Sequence, residues 1–491
     1  MKTNKRFVTE SIKGRKLLIT GCVALLVLII LLFQELAFRA NSKKLNLVII
    51  SIDTLRPDHM GVYGYKKNTT PNIDNLAKKA TVFTNVTTVV PMTHPSFAAL
   101  FTGYDPFKTR IIINEGLSVG PNTKTLATRL REAGYLTSAF IPILSALNQG
   151  FDVYKPYSFK GAYLVNNSEF FNQTDRAKYE QYLKSAQKWI TDNKDKKFFT
   201  WIHLMDVHPP YFPPEDMRCK FNSKFCPQIN NKSLEDLEKL RAEQQQCQNT
   251  PPSKDRVELM ETLYDGGVAT ADKLVGEFLD TLKKNGLDKN TIVVIYGDHG
   301  EGFDHNYYFM HREVLYNSAI SIPLVIYDPL SPSGQVSNIL LQNTDIMPTI
   351  LDLLRVPHES TLSKDSFSPT FNPNILVRLS QQQLRKYSFS ANISFSKFSV
   401  SDGNYKYILS LPSSCINNGQ SEELYDLKVD LNEKKNIINT NKKVGDNLRS
   451  VLLEYLSQYN LPQISKQGYD LSNDSKNKVN KLDNNIRSLG Y

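Results

Sequence analysis

A hydroxyl side chain stands two residues ahead of a proline in the segment PMTHPSFAALFTG, which spans positions 91–103. The hydroxyl belongs to Thr93, Pro95 can start a helix, and Gly103 can end that helix after about two turns. Free N–H groups and the helix dipole at such a start favour a phosphate or sulfate oxygen. Thr93 could therefore attack an ester of either acid, although an isolated Thr-x-Pro segment is more often a simple N-cap.

Three further groups of polar residues follow apolar runs that are typical of buried strands. Asp53, His208 and the pair Asp298 and His299 each come shortly after such a run. The alternation of these runs with helical segments predicts an α/β sheet. Because open parallel sheets place their ligands at the carboxyl ends of strands, the three groups are expected to converge on one site.

The side chains at these strand ends have the chemistry of a metal site. Asp53, Asp298 and His299 are oxygen and nitrogen donors, and Thr93 adds a hydroxyl. Such a set suits a hard or borderline divalent cation. The cation would help the threonine hydroxyl lose its proton and would also neutralise charge on the attacked ester.

Two more histidines, His208 and His311, could bind the ester oxygens or protonate the leaving group, because imidazole titrates near neutral pH. Taken singly, each is more simply explained as a hydrogen-bonded loop residue. The chain has only 8 histidines, however, and several of them fall in these clusters. Their concentration favours a common site.

The changes of composition along the chain predict its domains. We expect a catalytic domain over 45–360 with an insertion at about 211–256, a C-terminal subdomain over 361–460, and a tail over 465–491. The subdomain contains a polar–apolar alternation at 387–409 and helical spacing at 443–459, so we expect a small antiparallel sheet and a helix. The tail is rich in Asn and Lys, a composition typical of disorder.

The N-terminal region predicts a membrane anchor. Positions 17–33 carry 17 residues without a charge, about 25 Å of helix and just enough to cross a bilayer. The basic segment 1–16 would remain in the cytoplasm, and a single transmembrane helix is predicted over 17–36. A cleaved signal peptide is the alternative. Either prediction places the catalytic domain outside the cytoplasm.

An extracytoplasmic location permits disulfides. Cys219, Cys226, Cys247 and Cys415 remain outside the predicted anchor, and both a Cys219 to Cys226 loop and free thiols are open. The formal charge of +10 partly reflects the basic N-terminal region. Without a nucleic-acid-binding motif, it predicts no nucleic-acid partner. The sequence indicates no protein partner either.

Several motifs occur in order along the chain: SIDTLRPDH at 51–59, TPNID at 70–74, GDHGE at 297–301, TDIMPTIL at 344–351 and ELYDL at 423–427. Together they resemble the sulfatase family of the alkaline phosphatase superfamily, and the resemblance runs from about 45 to about 440. It implies a central, mostly parallel sheet with helices on both faces and a small α+β C-terminal subdomain. It also implies a divalent metal ion, which could be Mn, Zn, Ca or Mg.

Carried onto this sequence, the resemblance implies that Asp53, Asp298 and His299 are metal ligands and that Thr93 is the nucleophile and a fourth ligand. His208 matches a histidine that contacts substrate in the family. His311 stands 12 residues beyond His299, where related enzymes carry a Lys or His that touches the ester group.

Two positions depart from the usual sulfatase pattern. Those enzymes begin the helix with Cys or Ser, followed by x-Pro-x-Arg, and convert the first residue to formylglycine. Here Thr93 cannot give that aldehyde, and Phe97 replaces the arginine. A second carboxylate expected after Asp53 is replaced by Thr54, which lowers the negative charge of the metal site and weakens the case for calcium.

A threonine nucleophile resembles that of the superfamily's phosphodiesterases and envelope phosphoethanolamine or phosphoglycerol transferases. The sequence therefore predicts a membrane-anchored hydrolase of phosphate mono- or diesters, acting through Thr93 on a substrate in the cell envelope or outside the cell. The alternatives are a sulfate ester hydrolase, an envelope transferase, and a surface binding protein on a degenerate sulfatase scaffold.

Overall fold

The structure is a computed structural model that describes residues 45–111, 114, 118–141, 147–157, 173–209, 211, 213–228, 251–331, 334–359, 385–411, 421–458, 464–465 and 468–469. Its strands, in chain order, are β1 (Asn46–Ile52), β2 (Thr81–Phe83), β3 (Val86–Thr87), β4 (Leu136–Ile141), β5 (Val153–Pro156), β6 (Phe198–Leu204), β7 (Thr291–Gly297), β8 (Phe303–Asp304), β9 (Tyr307–Tyr308), β10 (Leu324–Tyr327), β11 (Gln335–Ser337), β12 (Leu341–Gln342), β13 (Ser388–Ala391), β14 (Lys397–Ser401), β15 (Tyr405–Ser410), β16 (Glu422–Asp426), β17 (Ile464–Ser465) and β18 (Gly468–Tyr469).

The α-helices are α1 (Pro71–Ala77), α2 (Thr93–Thr102), α3 (Pro106–Thr109), α4 (Leu126–Glu132), α5 (Gln173–Asp192), α6 (Glu215–Arg218), α7 (Lys254–Lys284), α8 (Asn317–Ile320), α9 (Ile346–Leu353) and α10 (Lys442–Ser457). Short 3-10 helices span Pro57–His59, Gly61–Tyr63, Ser223–Gln228 and Asn343–Asp345.

The central sheet has eight strands in the order β11-β2-β10-β7-β1-β6-β4-β5. The pairs formed by β1 with β6 and β7 are parallel. Strand β10 runs antiparallel to both β7 and β2, so the sheet is mixed. The prediction of an α/β sheet is confirmed, and the antiparallel β10 modifies the expected parallel arrangement.

The three central strands are buried along their whole length. Each of these strands, β1, β6 and β7, has seven residues, and all of them are buried. Burial on both faces explains why their sequences are mostly continuous apolar runs. The long helix α7 packs on one face, where Leu263 and Phe278 join the cluster that contains Ile50. Helix α2 covers the other face, with the Phe101 ring centroid 4.6 Å from that of Trp201.

A second, four-stranded antiparallel sheet is formed by β13-β14-β15-β16, and α10 packs against it through Leu448, Leu452 and Leu456. The expected C-terminal antiparallel sheet and helix are therefore confirmed. At the start of the predicted tail, β17 pairs with β18. The remaining tail residues lie outside the described ranges.

Two predictions concern covalent and membrane features. Cys219 and Cys226 form a disulfide, with Cα atoms 5.5 Å apart, whereas Cys247 and Cys415 lie outside the described residues. Among the residues that are described, no helix has the length and apolar character needed to cross a bilayer. The predicted transmembrane helix over 17–36, like the basic segment before it, falls outside them and stays a prediction.

Candidate functional site

The carboxyl end of β1 carries the first acidic side chain of the site. Asp53 follows the last residue of the strand and is fully buried. Its Oδ2 lies 3.3 Å from Nε2 of His203. Its Oδ1 has no hydrogen-bond partner among the described residues, although it lies 3.7 Å from Nε2 of His299. One carboxylate oxygen is therefore buried without a hydrogen-bond donor among the described residues.

The neighbouring strand β7 supplies the second carboxylate and an imidazole. The backbone N–H groups of Thr54 and His299 donate to Oδ1 of Asp298, at 3.1 and 2.9 Å. Its other oxygen, Oδ2, lies 3.5 Å from Nε2 of His299 and lacks a hydrogen bond within the described part of the chain. Because Nδ1 of His299 lies 3.0 Å from the Gly300 carbonyl oxygen, which can only accept, Nδ1 carries the proton and Nε2 is free to bind a cation.

Helix α2 presents the hydroxyl of Thr93 to the same point. Oγ1 of Thr93 lies 3.4 Å from Nε2 of His299, and the side chain is only 3 % exposed. The alternative of an N-cap threonine is wrong, because the helix is capped by Met92 without a side-chain hydrogen bond and Thr93 is its first residue. The hydroxyl is thus available for chemistry.

The hydroxyl of Ser96 forms hydrogen bonds that connect the start of α2 to the end of β7. The Ser96 hydroxyl lies 2.6 Å from the hydroxyl of Tyr296 and donates to the carbonyl oxygen of Asp298 at 2.7 Å. The helix ends as the sequence predicts, with Gly103 in the left-handed conformation at φ 69°. The nucleophile candidate and the metal-ligand candidates are therefore held by directly connected backbone elements.

The two predicted substrate histidines lie beside this group. The ring centroid of His311 is 4.1 Å from that of His299 and 6.4 Å from that of His208. Nδ1 of His208 donates to the Pro209 carbonyl oxygen at 2.6 Å, and Nδ1 of His311 lies 3.3 Å from Oε1 of Glu301. The structure brings all six predicted site residues into one cluster.

Sequence reasoning missed His203, which lies in one of the apolar runs that predict buried strands. It is the sixth residue of β6, level with Ser51 of β1, and its side chain is 1 % exposed. One ligand atom each of Asp53, His203 and Asp298 can be chosen so that all three lie within 4.8 Å of one another. A histidine inside an otherwise apolar strand, just before the polar segment at 206–208, was the available signal.

Two buried carboxylates lie close together in the cluster, and this proximity shifts the pKa values of its residues. Burial and then the neighbouring Asp53 raise the pKa of Asp298 to about 6. Burial also opposes ionisation of Asp53, but His208, His203 and His299 hold its pKa below the usual range. Burial and the nearby His299 and His208 hold the pKa of His311 well below its ordinary value.

The residues present fit a divalent cation. Buried carboxylate oxygens without donors are costly unless a positive charge faces them, and Asp53 and Asp298 each direct such an oxygen toward the imidazole of His299. Two carboxylates with imidazole and hydroxyl neighbours form a donor set that suits several divalent metals. These side chains could hold one ion.

The family model described as sulfatase matches residues 45–356, and the model described as the C-terminal region of N-sulphoglucosamine sulphohydrolase matches residues 304–460. The chain is 24% identical to an arylsulfatase of Clostridium perfringens over 469 residues, covering 84% of this chain and 94% of the relative. It is 25% identical to a Delta 4,5-hexuronate-2-O-sulfatase of Bacteroides thetaiotaomicron over 452 residues, covering 85% and 89%.

Among solved structures, the phosphonate monoester hydrolase of Agrobacterium radiobacter superposes with a TM-score of 0.63 at 18% identity, covering 87% of this chain and 99% of that one. This likeness supports the alkaline-phosphatase-like α/β fold that the resemblance implied, here with a mixed sheet. Because the sulfatase model matches more than half of the chain, over the region that carries the cluster of Asp53, Thr93 and Asp298, this protein belongs to the sulfatase family.

Proposed function

We propose that this chain hydrolyses an ester of phosphoric or sulfuric acid, with the Thr93 hydroxyl as nucleophile and with a divalent cation held by Asp53, Asp298 and His299. The supporting observation is the position of Thr93 Oγ1, 3.4 Å from Nε2 of His299, beside two buried carboxylate oxygens that have no donor among the described residues. The cation supplies charge that favours the deprotonated hydroxyl and offsets charge on the attacked group.

The bond changes follow from this arrangement. The Thr93 hydroxyl releases its proton to solvent, Oγ1 forms a bond to the phosphorus or sulfur atom, and the bond from that atom to the leaving oxygen breaks. His208 and His311 stand where they can bind the ester oxygens or give a proton to the leaving oxygen. His311 is neutral in the free site because its pKa is held low by burial and by His299 and His208, and a bound anionic ester would favour its protonated form. Water then forms a bond to the phosphorus or sulfur atom, the bond from that atom to Oγ1 breaks, and Oγ1 takes up a proton, so that the Thr93 hydroxyl is restored and the acid is released.

We propose a phosphate mono- or diester as the first substrate class. Thr93 cannot be converted into formylglycine, and Phe97 lies where the usual sulfatases have an arginine. The Phe97 ring is 1 % exposed and packs against Trp201 with centroids 4.8 Å apart, so it offers an apolar wall and no charge. A simple alkoxide attack needs neither group.

A sulfate ester is the second candidate, and the curated relatives support it better than they support phosphate. Both curated relatives described above are called sulfatases. The superposed phosphonate monoester hydrolase acts on phosphorus esters according to its name. Because its identity to this chain is low, it supports the fold and not the substrate. The choice between the two classes therefore needs an assay.

Two further proposals follow from the sequence. Transfer of the phosphoryl group to another hydroxyl, as in envelope transferases, would need the same first step with an acceptor in place of water. The predicted anchor over 17–36 would place the reaction at the outer face of a membrane, with the N-terminus in the cytoplasm. The non-enzymatic alternative, a surface binding protein, is disfavoured by the retention of Thr93 together with its acidic and imidazole neighbours.

Activity of the purified full-length chain in mild detergent tests the proposal. The substrates are p-nitrophenyl phosphate, bis-p-nitrophenyl phosphate, p-nitrophenyl phenylphosphonate and p-nitrophenyl sulfate, each with Mn, Zn, Mg or Ca. Thr93→Ala is expected to lower kcat/KM on the preferred ester by about a thousandfold or more, as removal of a nucleophile commonly does. Thr93→Ser keeps a hydroxyl and should retain part of the rate.

The matched control is Thr440→Ala, which removes an exposed threonine hydroxyl and should leave the rate unchanged. Full turnover in Thr93→Ala, or no turnover of any ester by the wild-type chain with any metal, contradicts the proposal. A faster rate on the sulfate than on every phosphorus ester would select the second candidate. A product that carries the transferred group on an added alcohol would select the transferase.

A further inference from the structure

The metal site lacks one negative charge that the sulfatase pattern leads one to expect. Thr54 stands where a second carboxylate would follow Asp53, and its hydroxyl is buried without a hydrogen-bond partner in the described ranges. Its backbone has a φ of 54°, an unfavourable conformation for a β-branched residue. The N–H group of Thr54 nevertheless donates to Asp298 at 3.1 Å. Position 54 thus supports the site through its backbone and supplies no anionic ligand.

The imidazole of His203 lies beside Oδ2 of Asp53, whereas that of His299 lies nearer Oδ1. His203 comes from β6, which pairs with β1 so that His203 is level with Ser51. Its Nε2 lies 3.3 Å from Oδ2 of Asp53, and it belongs with Asp53 and Asp298 to the group whose ligand atoms lie within 4.8 Å of one another. A cation that contacts both carboxylates would therefore have His203 within its reach.

Nε2 of His203 faces the carboxylate of Asp53, and Nδ1 faces the hydroxyl of Ser51. The Ser51 hydroxyl donates to the carbonyl oxygen of Ile202 at 3.4 Å, and its oxygen accepts from Nε1 of Trp201 at 2.9 Å. Nδ1 of His203 lies 3.0 Å from the same oxygen and can donate to it. In that tautomer Nε2 carries a lone pair, so a cation bound to Asp53 could replace the contact between Nε2 and Oδ2, while Nδ1 stays hydrogen-bonded as in other metal-binding histidines.

The second departure from the usual pattern also bears on this imidazole. The Phe97 ring packs edge-on against the His203 ring, with centroids 4.9 Å apart and an interplanar angle of 85°. An arginine at position 97 would place a positive charge beside His203 and would compete for Asp53. The three features of this chain, Thr54, Phe97 and His203, are therefore mutually compatible.

We infer that His203 binds the metal directly in place of the missing carboxylate and thereby selects a borderline ion such as Zn or Mn over Ca. The inference rests on the metal dependence of the proposed function and deepens it. Asp53, Asp298, His203 and His299 give two oxygen and two nitrogen donors. Imidazole suits Zn and other transition metals, whereas Ca takes 6–8 oxygen ligands.

The test measures metal binding by the full-length chain rather than turnover. The protein is stripped with a chelator and offered an equimolar mixture of Zn, Mn and Ca, and bound metal is counted by mass spectrometry together with the shift in Tm. The wild type should retain about one transition-metal ion per chain and show no Tm increase with Ca. His203→Ala should bind Zn or Mn at least about tenfold more weakly, and Thr54→Asp combined with His203→Ala should gain Ca binding.

The control variant is His358→Ala, whose histidine pairs with Asp352 outside the cluster and should not alter metal binding. Equal or preferred retention of Ca by the wild type overturns the inference, as does unchanged Zn affinity in His203→Ala. If His203→Ala does not fold, pulsed electron paramagnetic resonance of the Cu-loaded wild type decides the question. Two coordinated imidazoles are expected, and a single one overturns the inference.

The outcomes for the inference and for the proposed function are separable. Selective Zn or Mn binding that depends on His203, without turnover of any ester, would leave the inference standing and remove the proposed hydrolase. Turnover that depends on Thr93, with Ca bound as tightly as Zn, would leave the hydrolase standing and overturn the role of His203.

Discussion

Carboxylates are buried in two regions of this molecule, and they are neutralised in different ways. Near the C-terminal sheet, Glu433 is 1 % exposed and Glu423 is 5 % exposed. Glu433 pairs with the buried Lys406 of β15 and accepts from the Asn317 N–H at the start of α8. Glu423 accepts from the hydroxyl of Tyr316 at 2.8 Å. Each of these carboxylates thus has a partner within the protein: Oε1 of Glu433 has no hydrogen bond among the described residues, but it contacts the ammonium group of Lys406.

At the carboxyl edge of the central sheet the burial is as complete, but the donors are incomplete. Asp53 and Asp298 are fully buried, yet each keeps one oxygen without a hydrogen bond to any described residue. Taking a carboxylate out of water is costly in both regions. The difference teaches that the C-terminal carboxylates are partners in a structural contact, whereas those at the sheet edge could hold a cation from outside the chain.

The largest expected effect comes from removing a charge at the sheet edge. Asp298→Asn should lower kcat/KM by about a thousandfold or more, because it removes a ligand and half of the negative charge that holds the cation. In the chelator-treated protein the same change should raise the free energy of unfolding, because it ends the repulsion with Asp53. Assays with metal and urea unfolding without metal measure the two effects. Unfolding at lower urea than the metal-free wild type would remove the proposed distinction.

The corresponding change in the C-terminal region should act on stability instead. Glu433→Gln leaves Lys406 buried without its anion, and we expect a loss of about 3–5 kcal/mol in the free energy of unfolding, with kcat/KM of the remaining folded protein unchanged. Urea unfolding measures it. As a check, Lys406→Met combined with Glu433→Leu should recover most of the loss, since the pair is then replaced by apolar groups. An unchanged urea midpoint in Glu433→Gln would show that this pair is not structural.

A smaller effect should appear in the pH dependence of the metal-free protein. Burial and Asp53 raise the pKa of Asp298 from 3.8 to about 6, so the folded state binds more protons than the unfolded state between these values. Stability from this group is therefore present below pH 4 and is lost as pH rises through 6, with a total of about 3 kcal/mol at most.

Urea midpoints between pH 4 and pH 7 measure this slope in the chelator-treated chain. Asp298→Asn should flatten it, and saturating metal should remove it because the ion binds the deprotonated form. A wild-type profile that rises across the same window would show that Asp298 titrates normally.

Much of the site was predictable from the sequence because its residues follow strands that pair directly. Asp53 and Asp298 stand just beyond β1 and β7, and the parallel pairing of these strands brings them together without any long-range information. Thr93 needed the family resemblance, since a hydroxyl before a proline is otherwise read as a cap. The helix is capped by Met92, and no local signal distinguishes these two arrangements.

His203 and the mixed sheet were not predictable for a different reason. Which face a strand residue occupies depends on register, and His203 reaches Asp53 only because it is level with Ser51 of β1. The direction of β10 depends on how the chain crosses the sheet after α8. The four residues of this strand are apolar, and such a short apolar run does not indicate whether the strand is parallel or antiparallel to its neighbours. Pairing of Cys219 with Cys226 likewise required the three-dimensional arrangement.

The Ser96 hydroxyl, which bridges the start of α2 and the end of β7, has a consequence for how this enzyme family can diversify. It joins the segment that carries Thr93 directly to the backbone of Asp298, so a buried contact sets the spacing between the proposed nucleophile and the proposed metal ligand. Loops above the sheet can then be lengthened, shortened or recombined without disturbing the reacting geometry. Changes in those loops could then alter which substrates fit, while the buried cluster stays the same.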